Sequence, residues 1–233
     1  MHTELKINQK QAKEIFDILE SLYGNEAKDA SQFAYDEPLD DLILTVLSQN
    51  TNDKLRDIAF ANMKQKYKSW ANVMNSSLDE LKETIRIAGM TNRKPANIQA
   101  ILKIIQADFG ELSIKSMRNW KHEDVRNYFT ALPGVGVKTA AVVECFDLNM
   151  PAFPVDTHIS RISKHFGWAE EKESPDKIQA RIESQLGKKF SGRFLGAHLT
   201  FMCHGRGICS ARKPKCEDCA LNKICKTGRD IKE

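Results

Sequence analysis

The chain has 233 residues, of which 41% are hydrophobic and 28% are charged, so it can bury a substantial core as one domain or as two smaller lobes. No apolar run is long enough to span a bilayer, so we expect no membrane partner. The formal net charge of +4 is too small to indicate a partner by itself.

Helical periodicity runs through nearly the whole chain, and alternating strand patterns are absent. The fold class is therefore predicted to be all-α. The best-defined predicted helices are one that carries Ile15 and ends at Gly24, one over 39–47, one opened by a capping box at Ser77, one from Pro95 to Gly110, and one from Pro175 to Gly187. Two prolines between 149 and 154 interrupt the helical pattern, and this segment is the best internal boundary.

Four closely spaced cysteines near the end of the sequence predict an inorganic centre. They are Cys209, Cys216, Cys219 and Cys225. A single Cys-x-x-Cys pair bracketed by two further cysteines favours a [4Fe–4S] cluster, although a four-cysteine zinc site remains open. The polar N-terminus shows no signal-peptide pattern, so we expect a reducing, cytoplasmic location in which disulfides do not form.

The remaining cysteines and the charges around the packet are less specific. Cys145 lies in an apolar helical run and is predicted to be a buried small hydrophobe, whereas Cys203 is close enough to be an alternative ligand. Residues 203–233 contain eight Lys or Arg and four Asp or Glu residues, a balance of +4. This charge fits a surface that faces phosphates, and it fits an ordinary solvated tail equally.

A glycine turn between two helical stretches, residues 132–140, carries the most specific motif, Leu-Pro-Gly-Val-Gly-Val-Lys-Thr-Ala. The backbone N–H groups of such a turn can point at an anion, and nucleic-acid phosphate is the obvious candidate. Lys138 follows in the first turn of the next helix, where the macrodipole opposes a cation and favours the neutral, nucleophilic amine. A surface or phosphate-contacting lysine is the simpler explanation.

Asp156 and His158, in Val-Asp-Thr-His, form a second candidate pair. Either Asp156 or Thr157 is a natural N-cap for the helix that carries Ile159. The functional interpretation makes Asp156 a carboxylate that takes a proton from Lys138. His158 could orient that carboxylate, bind phosphate or simply pack.

Together these motifs resemble the endonuclease III family of helix-hairpin-helix DNA glycosylases with an iron–sulfur cluster. The resemblance rests on the hairpin with Lys138, on Val155 to His158, on His204-Gly-Arg206 leading into the cysteines, and on the segment 47–51. It implies a two-lobed all-α fold with DNA in the cleft between the lobes. A six-helix barrel lobe would span 30–150, and the cluster lobe would combine 1–29 with 151–233.

The resemblance also implies the site. Lys138 would be the nucleophile, Asp156 its partner, and the four cysteines the ligands of a [4Fe–4S] cluster. Gln49 and Met90 would fill the gap left by an extruded base. The remaining DNA contacts would come from Pro133, Gly134, Val135, Gly136, Val137, Thr139, His158, Arg212, Lys213 and Lys215.

The implied activity is that of a bifunctional DNA glycosylase and AP lyase of base excision repair, acting as a monomer on duplex DNA with damaged bases or abasic sites. Oxidised pyrimidines are the family default, and mismatched thymine or uracil is the alternative. The chain departs from the family pattern at Asn50 to Asn52, at Met90 and at Val137, which affects lesion preference rather than reaction type. A non-catalytic DNA-binding module and an iron–sulfur electron carrier are the rival classes.

Overall fold

The computed structural model describes residues 5–31, 35–89 and 92–230, and these residues contain helices and turns but no β-strand. The predicted all-α class is confirmed. None of the described helices combines the length and the apolar character that a bilayer crossing requires. The α-helices are α1 (Gln9–Ser31), α2 (Pro38–Ser48), α3 (Asp53–Lys66), α4 (Trp70–Asn75), α5 (Leu78–Thr84), α6 (Arg93–Phe109), α7 (His122–Ala131), α8 (Val137–Phe146), α9 (Thr157–His165), α10 (Pro175–Phe190), α11 (Phe194–Gly207) and α12 (Lys226–Asp230).

The chain divides into two compact units. The terminal unit comprises residues 1–33 and 150–233, and the central unit comprises residues 34–149. The predicted division into a barrel lobe and a cluster lobe stays a prediction.

The core of the central unit is built on the apolar stripe of α2. Leu39, Leu42, Ile43, Val46 and Leu47 are all fully buried, as the helical spacing predicts. The helix packs on α3, α6 and α8. Because α2 ends at Ser48, this packing fixes where Gln49 and the following turn begin.

The core of the terminal unit is an aromatic cluster around Phe16 of α1. The Phe16 ring makes edge-on contacts with Trp168, Phe190 and Phe201, with centroids 5.7 to 6.4 Å apart. Such contacts add about 0.5–1.5 kcal/mol per pair to the burial of the rings. They join α1 to α10 and α11, so the N-terminal helix is an integral part of this unit.

Two predicted helix ends were wrong. α1 continues through Gly24 to Ser31, and α10 continues through Gly187 to Phe190. A helical glycine costs about 1 kcal/mol, and packing offsets this cost in both cases. α1 lies along α11 over much of its length, and the extension of α10 buries Phe190 against Phe16.

The other helix limits follow the local signals in the sequence. The Ser77 hydroxyl accepts a hydrogen bond from Glu80 N at 3.2 Å and caps α5, as predicted. α6 has Pro95 in its first turn and ends at Gly110, which adopts a left-handed φ of 74°. These ends are set by backbone chemistry within a few residues, which is why the sequence reveals them.

A pair of buried carboxyl groups lies between α2 and the end of α8. Asp41 and Asp147 are only 9% and 7% exposed, and Asp147 Oδ1 accepts a hydrogen bond from Tyr35 N at 2.8 Å. Burial, followed by the charge of Asp41, raises the pKa of Asp147 to about 9. At neutral pH the pair therefore holds a proton that two exposed carboxyl groups would have released.

This pair makes folding stability fall with rising pH. The unfolded chain releases the Asp147 proton near its ordinary pKa of 3.8, whereas the folded chain keeps it to about pH 9, so the folded state loses relative stability between these values. We expect Asp147→Asn, which mimics the protonated acid, to melt at a higher temperature than the wild type at pH 8. At pH 8 this advantage should amount to about 1 kcal/mol or more in the free energy of unfolding. At pH 5 it should be smaller.

The matched control is Asp124→Asn, which replaces an exposed carboxyl group of the same unit. It should leave the pH profile of thermal melting unchanged. A wild type and an Asp147→Asn variant with parallel profiles from pH 5 to pH 8 would contradict the protonated pair.

Candidate functional site

The glycine turn forms a hairpin between α7 and α8. Leu132 and Val135 are buried, and Val135 N donates to Leu132 O at 3.1 Å, which closes the turn. Gly134 adopts a φ of 74°, and a Cβ there would overlap Asn97 Nδ2. Both the backbone conformation and the neighbouring α6 therefore require glycine at this position.

The opposite side of the hairpin is held by a buried ionic cluster. Glu144 of α8 is fully buried and pairs with Arg126 and His122 of α7, the latter at 2.8 Å. Burial acts to raise the pKa of Glu144, but hydrogen bonds from His122 and Arg126 outweigh it and hold the pKa below its ordinary value. The cluster fixes the two hairpin helices side by side, and so sets the direction of the first turn of α8.

Lys138 occupies that first turn, as predicted, and its side chain is half-buried. Its cationic charge acts to lower the pKa of Asp41, although burial raises that pKa overall. Gly136 caps α8 without a side chain, so the backbone N–H groups at the start of the helix remain accessible to an anion. An amine thus stands beside a helix end that is suited to phosphate.

The hairpin residues that are predicted to contact DNA differ in their exposure to solvent. Gly134 and Gly136 are exposed, whereas Val135 and Thr139 are buried. Any contact from Val135 or Thr139 would therefore come from the backbone. Pro133 and Val137 are partly exposed.

Gln49 is joined to the hairpin. Its side-chain Nε2 donates to Gly134 O at 2.8 Å. The next residue, Asn50, adopts a left-handed φ of 52° and is exposed at the tip of the turn. The structure therefore ties Gln49 to the hairpin turn and leaves Asn50 at the outer position. Met90, the other predicted gap-filling residue, lies outside the described residues.

Asp156 is the N-cap of α9 in the terminal unit. Its Oδ1 accepts a hydrogen bond from Ile159 N at 2.8 Å, which confirms one of the two predicted caps. His158 packs against Gly205 of α11, and a Cβ added to Gly205 would lie only 2.8 Å from His158 Cβ. The Nδ1 of His158 lies 3.3 Å from a guanidinium nitrogen of Arg161.

All four predicted cysteine ligands line one cavity of the terminal unit. Its walls include Cys209, Cys216, Cys219 and Cys225, together with apolar side chains from α9. Backbone bonds shape the loop, with Cys209 N donating to His204 O at 2.9 Å and Cys225 N to Leu221 O at 2.8 Å. None of the six cysteines forms a disulfide. Cys145 is buried as predicted, and Cys203 does not line the cavity.

The thiols surround a space without converging on a single point. Within the described ranges, no three His, Cys, Asp or Glu side chains are placed to hold one metal ion. A zinc site needs four sulfur atoms at about 2.3 Å from the same ion. A cubane instead takes one thiolate at each of four irons, so its ligands are spread around a larger volume. Four thiols around one cavity form a donor set that fits a [4Fe–4S] cluster.

Burial keeps three of these thiols protonated in the absence of a metal. It raises the pKa of Cys209 to about 11 and raises the pKa values of Cys219 and Cys225. Loading a metal centre must therefore release protons. Burial also lowers the pKa of His204 to about 4, so its imidazole is neutral at pH 7. The His204 ring contacts Tyr23 Oη through Nδ1 and Cys219 Sγ through Nε2.

The loop between the first two cysteines presents the predicted basic side chains. Arg212, Lys213 and Lys215 are all exposed. The loop is folded back by Ser210 Oγ, which donates to Lys213 O at 2.7 Å, and by Lys215 N, which donates to Ile208 O at 3.0 Å. Part of the cavity wall and the basic surface therefore belong to the same short segment.

Sequence reasoning missed three buried polar groups of the central unit: the Asp41–Asp147 pair, Glu144 and Lys94. Their residue types predict exposure, and no local motif marks them. A charged residue within the apolar run of α8 was a weak signal for Glu144 alone.

The hairpin turn can be tested by two matched glycine substitutions. Gly134→Ala should destabilise the protein by about 1–2 kcal/mol, because it forces a side chain into a left-handed backbone conformation and against Asn97. Gly136 has a φ of −94°, and no atom lies within 4 Å of the position that a methyl group would take, so Gly136→Ala should cost less. Thermal melting compares them, and equal losses would contradict the assigned turn geometry.

Comparisons with known proteins point to one family of DNA repair proteins. The family model for the HhH-GPD superfamily base excision DNA repair protein matches residues 43–188. Endonuclease III of Rickettsia felis is 30% identical over 215 residues, covering 92% of this chain and 95% of that protein. Endonuclease III of Bacillus subtilis is 29% identical over 198 residues, or 85% of each chain.

The fold leads to the same family. The structure of a trapped endonuclease III–DNA covalent intermediate aligns with a TM-score of 0.78 at 25% identity, covering 97% of this chain and 100% of that chain. The match to the family model and the extended similarity to the Rickettsia protein agree with the helix-hairpin-helix geometry. The chain therefore belongs to the endonuclease III family of helix-hairpin-helix DNA glycosylases, which act in base excision repair.

Proposed function

We propose that this protein is a bifunctional DNA glycosylase and AP lyase that uses Lys138 as its nucleophile. The observation that carries the proposal is the position of Lys138 in the first turn of α8, directly after a hairpin whose geometry requires Gly134. A purely DNA-binding hairpin has no need of an amine at that point. The similarity to an endonuclease III trapped covalently on DNA supports the same assignment.

The chemistry requires a neutral amine and an extruded nucleotide. Extrusion costs a few kcal/mol, and the cost is lower for a poorly stacked lesion, which helps to select damage. Lys138 Nζ attacks the sugar C1′, and the base leaves with the electron pair of the broken glycosidic bond and is protonated. Ring opening and loss of the amine proton give a Schiff base. Loss of a C2′ proton then expels the 3′ phosphate and cuts the strand by β-elimination.

We assign Asp156 the role of proton acceptor for the Lys138 amine and of counter-charge for the cationic sugar. Its support is the N-capping geometry, in which Oδ1 is held by Ile159 N. This arrangement fixes the carboxylate and leaves Oδ2 as the acceptor. The family resemblance supplies the pairing with Lys138.

Phosphate binding is assigned to two exposed surfaces. The hairpin amides at Gly134 and Gly136 and the loop of Arg212, Lys213 and Lys215 can both hold the DNA backbone. Such contacts position the duplex and carry no sequence information. Recognition of damage must then come from the flipped base and from the residues that replace it in the stack.

We further propose that the four cysteines hold a [4Fe–4S] cluster. The group would be bound by Cys209, Cys216, Cys219 and Cys225, and it would supply a covalent tie for the basic loop. A chain segment this short cannot bury enough apolar surface to fix itself, so an inorganic cross-link is the expected stabilising element. The loop of Lys213 and Lys215 then depends on the centre for its shape.

The substrate class proposed is oxidised pyrimidine in duplex DNA. The runner-up is mismatched thymine or uracil, since the chain departs from the family pattern at Asn50 and Asn52, near the extruded base. A panel of thymine glycol, dihydrouracil, G·T mismatch and undamaged duplexes distinguishes the two classes. Release of the base from the mismatch alone would replace the first assignment by the second.

The lysine assignment predicts a separation of binding from cleavage. Lys138→Gln should lower strand nicking at an abasic site by about 10³-fold or more, because the nucleophile is removed. Binding to the same duplex should persist, because the hairpin amides are unchanged. Gel assays of nicking and fluorescence anisotropy measure the two quantities.

The matched control is Lys215→Gln, the same substitution in the basic loop. It should weaken DNA binding and its salt dependence while leaving single-turnover nicking intact at saturating enzyme. A Lys138→Gln protein that still nicks abasic DNA at the wild-type rate would contradict the assignment of Lys138.

The cluster assignment predicts the metal content of the purified protein. Anaerobic preparation should yield about four iron and four sulfide ions per chain, rather than about one zinc. Cys219→Ser should lose the iron, whereas Cys203→Ser should keep it because Cys203 does not line the cavity. One zinc per chain and no sulfide would overturn the cluster.

A further inference from the structure

Lys94 is the most unusual charged residue of the central unit. It is the second residue of α6 and is only 1% exposed. Burial lowers its pKa, and no carboxylate among the described residues offsets that effect. Burying an amine is costly unless it is well hydrogen-bonded, and an apolar side chain of the same size would fill the space at lower cost. The hydrogen bonds of Lys94 therefore need an explanation.

The Lys94 amine joins the ends of two other helical segments. Its Nζ donates to Leu47 O at 2.7 Å and to Ala88 O at 2.6 Å. Both acceptors are carbonyl groups at C-terminal helix ends, which lack partners within their own helices. Leu47 is in the last turn of α2, and Ala88 ends the short 3-10 helix Arg86–Ala88. One nitrogen atom thus fixes the spacing of two helix ends.

A residue with a positive φ follows closely after each of these ends. After α2 comes Gln49 and then Asn50, with a φ of 52°, and after the 3-10 helix comes Gly89, with a φ of 70°. These are the two segments to which the family resemblance assigns the filling of the gap in DNA. Gln49 is in turn bound to Gly134 O of the hairpin. Lys94 is therefore connected through α2 to the proposed phosphate-binding turn.

We propose that Lys94 is a positioning residue for damage recognition, which holds the end of α2 and the end of the 3-10 helix Arg86–Ala88 at the spacing that an extruded base requires. The inference rests on the proposed function. Lys94 makes no contact with DNA itself, and its effect is exerted through Leu47 and Ala88. Misplacing a recognition group by about 1 Å can cost about 100-fold, so loss of this tie should weaken binding to damaged DNA far more than binding to undamaged DNA.

The test compares affinities for a duplex that contains a tetrahydrofuran abasic-site analogue and for the same duplex undamaged. Lys94→Met keeps the length of the side chain and removes its donors. We expect the ratio of the two affinities to fall by about tenfold or more, with binding to the undamaged duplex unchanged. Lys103→Met, an exposed lysine of the same helix, should behave as the wild type.

Lys94→Gln separates positioning from space filling. Its amide keeps two donors on a shorter side chain, so it should retain more discrimination than Lys94→Met. A side chain that only fills space predicts the reverse order, because methionine buries no unpaired polar group. Circular dichroism at the assay temperature establishes which variants are folded.

A wild-type affinity ratio in folded Lys94→Met, or a lower ratio in folded Lys94→Gln than in folded Lys94→Met, would overturn the inference. A wild-type protein that does not itself prefer the abasic duplex would instead refute the proposed function. The two failures are thus distinguishable in one set of measurements.

Discussion

The left-handed turn at Gly134 is the constraint on which the rest of the candidate site depends. It reverses the chain between α7 and α8, exposes the backbone of Gly134 and Gly136, and places Lys138 in the first turn of a helix. Asn97 lies where a side chain at this position would be, so both the positive φ and the neighbouring helix favour glycine here. The Glu144–Arg126 pair then fixes the helices on either side. A reactive amine is useful only if its position is reproducible, and these contacts provide that.

Polar side chains of the central unit serve the same requirement. Lys94 and Gln49 join backbone carbonyl groups of separate segments, at Leu47, Ala88 and Gly134. Each hydrogen bond adds only about 1 kcal/mol to stability. Their main effect is on position, because a hydrogen bond from a defined donor fixes the direction of the carbonyl group and of the segment that carries it. The cysteine cavity meets the equivalent need in the terminal unit, where the basic loop has little apolar surface of its own to bury.

Much of this could be predicted from the sequence, and the reason is the range of the interactions involved. The caps at Ser77 and Asp156, the stop at Gly110 and the hairpin at Gly134 depend on a few neighbouring residues, so local patterns reveal them. The ends of α1 and α10 were misjudged because packing against segments that are distant in the chain outweighs the cost of a glycine. Lys94 and Asp147 could not be predicted, since their burial depends on segments far away in the chain. The roles of Lys138, Asp156 and the DNA contacts stay predictions.

The central claim is that the Lys138 amine, and no other amine, bonds to the sugar. Borohydride reduction of a reaction with an oligonucleotide duplex bearing thymine glycol, followed by proteolysis and mass spectrometry, locates the reduced adduct directly. We expect a nucleotide attached to the peptide that contains Lys138. An adduct on a different lysine or on the α-amino group, or glycosylase activity without any trapped adduct, would contradict this claim.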